Sequence, residues 1–155
     1  MRAIGLTALP LLPRRSFSEE VRRLSVEIAH AREIEKLSPD EKDRVVVFVF
    51  DSFTSHFEPN VAIAAIRVAR KLDLIPYLAA SHHNGKALHV HGYLGRFEKA
   101  AAKTERYLRA LADAGVALVG LDPSMTLVYR RSITDYGRVV AGRLYYFRKN
   151  GLQRI

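Results

Sequence analysis

Apolar positions fall in two patterns along this chain, a helical period and short continuous runs, and each marks a kind of element. Ser16, with Glu19 three residues on, forms a capping-box pattern ahead of an apolar period. Val21, Leu24, Ile28, Ala31 and Glu35 then fall at helical spacing, which predicts one amphipathic helix over 17–37. Ser38-Pro39-Asp40-Glu41 repeats the cap with Pro at the first helical position, predicting a short helical turn. The run Arg44 to Phe50 is apolar on both faces after its first residue and rich in β-branched side chains. That predicts a strand buried on both sides. A helix is expected over 60–72 and a second strand over Leu74 to Ala79, with Pro76 pointing to an edge or a strand start. Leu94, Phe97, Ala101, Thr104, Leu108 and Leu111 step by three and four, so 95–114 reads as a helix closed by Gly115. Val116 to Leu121 reads as a third strand, and Asp122-Pro123-Ser124 beyond it can cap another short helix. Strand, helix, strand, helix, strand with short connections predicts an α/β domain: a three-layer, Rossmann-like winding with a small parallel sheet. An N-terminal segment and helix (1–39) precede the α/β domain (40–131), and a basic aromatic tail (132–155) follows it. In the tail, Arg138 to Lys149 is rich in Val, Tyr and Phe, and Asn150-Gly151 is a hairpin signal. The tail is therefore an added strand or a loosely tied extension.

A length of 155 residues is one ordinary domain, and 48% hydrophobic residues supply one core, which excludes a disordered chain. There are no cysteines, so no disulfide, thiolate nucleophile or cysteine-ligated cluster can form within the chain. No apolar stretch reaches the roughly 18 residues of a membrane span. Two prolines interrupt the apolar start MRAIGLTALPLLPRR, and no small-residue cleavage site follows, so a cytoplasmic location is expected. The net charge of +9 is concentrated at the ends. Residues 1–23 carry five Arg against Glu19 and Glu20, and 130–155 carry seven Lys or Arg against Asp135, while the middle sums to zero. A DNA-reading domain concentrates its basic residues on one recognition element, so basic ends read first as solubilising surface.

Ligands of open α/β sheets bind beyond the carboxyl ends of the strands. Those ends are three polar loops, Asp51 to His56, Ser81 to Lys86 and Asp122 to Ser124. Polar residues there also serve as helix caps, so the convergence points to a cleft without proving one. His82, His83, His89 and His91 fall within ten residues, and His89 and His91 would share a face of an extended segment. No His-Glu-x-x-His helix and no cysteine accompany them, so solvated loop histidines are the preferred reading and no metal is expected. Asn84-Gly85-Lys86 could offer N–H donors and one cation to a small anion, or be only a turn. Neither G-x-G-x-x-G, nor a P-loop, nor a G-x-S-x-G elbow occurs, and no catalytic residue is assigned.

The strings Val47 to Ser55, Asn84-Gly85-Lys86-Ala87-Leu88-His89, Leu94 to Phe97, Gly115 to Ser124 and Val128-Tyr129-Arg130, in that order, resemble one family. They are similar to the C-terminal, cysteine-rich, heterodisulfide-reductase-related region of FAD- and iron–sulfur-dependent D-2-hydroxyacid dehydrogenases of the D-2-hydroxyglutarate and D-lactate type. The resemblance covers about 40–131. It implies flavin-mediated oxidation of a D-2-hydroxyacid, with FAD and [4Fe–4S] clusters as the family's cofactors. Here the cysteines are missing, and Met125 stands where related modules can carry a cysteine after a Pro-Ser pair. The resemblance therefore implies a half-module, a fragment or a split-gene product, inactive alone, whose partner would be a flavin and iron–sulfur subunit or the remainder of the enzyme. By position, Asp51, Thr54, Asn84, Lys86, His89, Asp122 and Ser124 are expected to line the cleft. The competing class is a small basic binding protein for nucleic acid or an acidic partner, with Tyr129, Tyr136, Tyr145, Tyr146 and Phe147 among the tail's arginines as a stacking surface. Nucleic acid is the less favoured partner, because aromatic residues at alternating positions also pack a strand against a core.

Overall fold

The computed structural model describes residues 15–80, 85–121, 144–148 and 151–154. The expected cap at Asp122–Ser124, the histidines His82 and His83, and Asn150 of the hairpin turn lie outside the described residues.

β1 (Val45–Val49) is buried along its whole length, as a run apolar on both faces requires. It pairs in parallel with β2 (Ile75–Leu78) on one side and β3 (Ala117–Gly120) on the other, with Val47 opposite both Tyr77 and Leu118. β4 (Leu144–Arg148) adds in parallel beside β3, and β5 (Gly151–Arg154) pairs antiparallel with β4. The order is β2-β1-β3-β4-β5.

Successive side chains of β1 point to opposite faces, and each face has its own helix layer. Val45, Val47 and Val49 pack in one cluster with Phe97, Leu108 and Leu111 of α7 (Leu94–Asp113) and with Ile34 of α2 (Ala31–Ile34). Val46 and Phe48 pack in the other with Ile63, Ile66 and Ala69 of α5 (Pro59–Lys71) and with Val21 of α1 (Phe17–Arg23). Each fully buried large side chain of these clusters contributes roughly 1.5–3 kcal/mol. The stripe predicted on α7 is buried at Phe97, Ala101, Thr104, Leu108 and Leu111, but Leu94 at its start is 48% exposed. Gly115 closes the helix at φ +100°.

Three local expectations are corrected. The stretch 17–37 is two short helices, not one. α1 keeps its capping box, Ser16 Oγ accepting from Glu19 N and the Glu19 carboxylate from Ser16 N. It stops at Leu24, and Ser25 adopts φ +49°. Residues 26–29 then run extended beside β2, with Leu78 N donating to Glu27 O and Ala29 N to Leu78 O. Three residues apart in extended chain, Val26 and Ala29 reach opposite faces of the sheet and enter the two different clusters. No single helix stripe could do that, so tertiary pairing overrides the local period. Second, Ser52–Phe57 is a helix, α4, not an open loop. Third, His89 lies in a helix, α6 (Lys86–Val90), not in an extended segment.

The repeated cap at Ser38 starts α3 (Pro39–Arg44) with both reciprocal bonds present. Pro76 sits in β2 where alternation turns its nitrogen outward, away from β1. Tyr77 and Ala79 face β1, as Ala79 N donating to Phe48 O shows. The missing N–H therefore costs no ladder bond.

Candidate functional site

The carboxyl ends of β1 and β2 open into α4 and towards α6. Asp51, just past β1, is 8% exposed, and its carboxylate is occupied by its own helix. Oδ1 accepts from Phe53 N at 2.7 Å and Thr54 N at 2.9 Å, and Oδ2 accepts from Thr54 Oγ1 at 2.8 Å. Thr54 is 4% exposed. Ser55 Oγ donates to Asp51 O, and His56 Nδ1 donates to Ser52 O, since a carbonyl can only accept. The two residues expected to line a cleft are thus brought together as an N-cap. Their polar atoms hold the first turn of α4.

Beyond β2, Gly85 precedes α6 in the left-handed region at φ +74°. A β-carbon there would stand 2.7 Å from Phe97 Cδ2, so the position demands glycine both for its backbone and for the approach of the Phe97 ring. His89, exposed on α6, lays its ring against Phe97 with centroids 4.9 Å apart. Among the described residues no hydrogen bond or ion pair joins His89 to the Asp51–Thr54 pair. No group of three or more potential metal ligands occurs among them either. Asn84, Asp122, Ser124 and the side chain of Lys86 lie outside the described residues.

Sequence reasoning missed Tyr107. Its hydroxyl accepts from Ala80 N and donates to Ala29 O, both at 2.8 Å, tying the exit of β2 to the extended segment beside it. Burial raises its phenol above the usual value, opposed by the Ala80 N–H. Helical spacing places Tyr107 on the flank of the buried stripe, but no pattern tells where its hydroxyl ends.

A cavity of about 360 Å³ lies at the other end of β2, lined by Ser25, Glu27, Arg70, Leu74, Ile75, Pro76 and Tyr77. Arg70 donates there to Leu24 O. With no cysteine in the chain, none of these regions can hold a thiolate-ligated iron–sulfur cluster.

No family model matches the chain, and no solved structure matches it. Curated proteins do, three of them as follows. The chain is 44% identical over 128 residues to D-2-hydroxyglutarate dehydrogenase of Pseudomonas putida, covering 83% of this chain and 13% of that protein. It is 36% identical over 127 residues to the Escherichia coli protein of the same name, covering 82% and 12%. To the Haemophilus influenzae protein it is 34% identical over 129 residues, covering 83% and 13%. A matched stretch of 128 residues is longer than 40–131, so the similarity reaches into flanking sequence that the motifs alone had placed outside it. The chain spans about an eighth of the length of these relatives. By these identities the chain is related to a segment of the D-2-hydroxyglutarate dehydrogenases.

Proposed function

We propose that this chain is a non-catalytic module of an FAD-linked D-2-hydroxyacid dehydrogenase, with flavin and iron–sulfur clusters supplied by a partner polypeptide or by the remainder of a split enzyme. The observation that carries the reading is 44% identity across 83% of a chain that contains no cysteine. The electron path of such an enzyme resides in its cofactors, and cluster thiolates must come from elsewhere. The carboxyl-end chemistry agrees, because Asp51 and Thr54 are committed to capping α4. The strand order β2-β1-β3, with α5 on one face and α7 on the other, supports a Rossmann-like winding for the module. No helix among the described residues is long and apolar enough to cross a membrane, and the reading places the module in the cytoplasm.

The test is co-expression with the Pseudomonas putida relative from which the matched segment has been removed. Dye reduction driven by D-2-hydroxyglutarate should be absent with either chain alone and return when both are present. Turnover by this chain alone would overturn the proposal.

A further inference from the structure

The sum of charges in the middle of the chain is zero, but α7 segregates them. Arg96, Lys99, Lys103 and Arg106 are all exposed and spaced by three, four and three, so they form one stripe on the helix face turned from the core. Glu105 is nearly buried and paired with Arg109, Glu98 lies on a neighbouring flank, and Asp113, on the same face, comes only at the last residue of the helix, two turns past Arg106. Among the described residues no ion pair neutralises any member of the stripe.

This arrangement works against the helix that carries it. Like charges at three- and four-residue spacing repel. Arg96 and Lys99 also sit in the first two turns, where the helix dipole favours anions, and no acidic residue occupies the first turn. Alternating signs along such a row would have laced the exposed face with ion pairs, and here the row runs four basic residues without one. Departures from local consistency of this kind mark places where something other than folding is served.

A second observation falls at the same corner. Val90, Tyr93 and Leu94, where α6 passes into α7, are 71%, 57% and 48% exposed, and Arg96 stands over the Tyr93 ring at 5.8 Å. An exposed aromatic and aliphatic cluster continuous with a basic row has the makeup of a protein interface, an apolar centre with an arginine-rich border. A phosphate backbone offers nothing for Val90 and Leu94 to bury, whereas an acidic polypeptide face offers both partners. We infer that the α6–α7 corner and the basic stripe of α7 form a docking surface for an acidic polypeptide face with an apolar centre. The inference goes beyond the dehydrogenase reading and does not depend on the partner being a redox subunit.

The experiment uses the full chain and two probes at physiological salt: a glutamate-rich peptide with a central phenylalanine, and poly(U) RNA. The peptide should bind, and Lys99→Glu with Lys103→Glu should weaken it by about tenfold or more, as the loss of close charge pairs does. Arg67→Glu with Lys71→Glu on α5 changes the net charge equally and should leave binding within about threefold. Tyr93→Ser should weaken peptide binding without altering its salt dependence. The Lys99→Glu, Lys103→Glu variant should also melt higher than the parent, because it relieves the repulsion and suits the dipole. Equal loss in both charge-reversal variants, tighter binding of poly(U) than of the peptide, no peptide binding, or a lower melting temperature in the stripe variant would each overturn the inference.

Discussion

Gly85 shows how much one residue can be asked to do. Its φ of +74° favours glycine, and the Phe97 ring occupies the space a β-carbon would take. Gly85→Ala is therefore expected to destabilise the fold by about 1–3 kcal/mol, measured by chemical denaturation. An unchanged midpoint would mean that α6 does not lean on Phe97 in solution. Asp51 makes a different point. It was legible in the sequence as a polar residue at a strand end, a description that suits a site and a helix cap equally. The distances to Phe53 N, Thr54 N and Thr54 Oγ1 establish the cap. Asp51→Ala should cost about 1–2 kcal/mol in the same measurement, with Asp51→Asn costing less because one amide oxygen can still accept from the helix.

At the scale of elements, α3 formed where its Ser38 cap put it, and α1 begins at its Ser16 cap but ends at Arg23. Ser38 and Glu41 carry a pH dependence that follows from their geometry. The Ser38 backbone N–H, and then its hydroxyl, hold the Glu41 carboxyl below its ordinary value of 4.5. A carboxylate lowered in the folded state contributes stability that is complete above its unfolded value and is lost as pH falls through the folded one. Protection of the α3 amides, taken relative to the unstructured exchange rate at each pH, should thus fall as pH drops below the ordinary carboxyl value of 4.5 in the parent, and Glu41→Gln should flatten that dependence. α5 and α7 were legible because one helical period dominates each, and β1 and β3 because each is a short continuous apolar run. The stretch 17–37 was not, because Val26 and Ala29 satisfy a helical spacing while serving opposite faces of the sheet. What decided it was Leu78, a partner some fifty residues away that no local window contains. The Tyr107 bridge from Ala80 to Ala29 escaped for the same reason.

For the whole molecule, the sheet continues past β3 into β4 and β5, so residues 144–148 and 151–154 of the tail are part of the architecture at the level of the backbone. Deleting 132–155 removes the parallel partner of Leu118, Val119 and Gly120 and bares an apolar strand edge. The truncated chain should melt lower and associate at concentrations where the parent stays dispersed, as light scattering would show; equal melting and dispersion would mean the β3–β4 pairing adds little. The family relationship was legible as a series of short motifs in order, but its extent was not, since the matched stretch outruns 40–131. With no cysteine in the sequence, any cluster thiolates of the proposed assembly come from another polypeptide. The most direct measurement is the visible spectrum of the chain purified without oxygen, with iron and flavin determined on the same sample. The account predicts a colourless protein with neither in stoichiometric amount. A yellow or brown protein holding stoichiometric flavin or iron would contradict it.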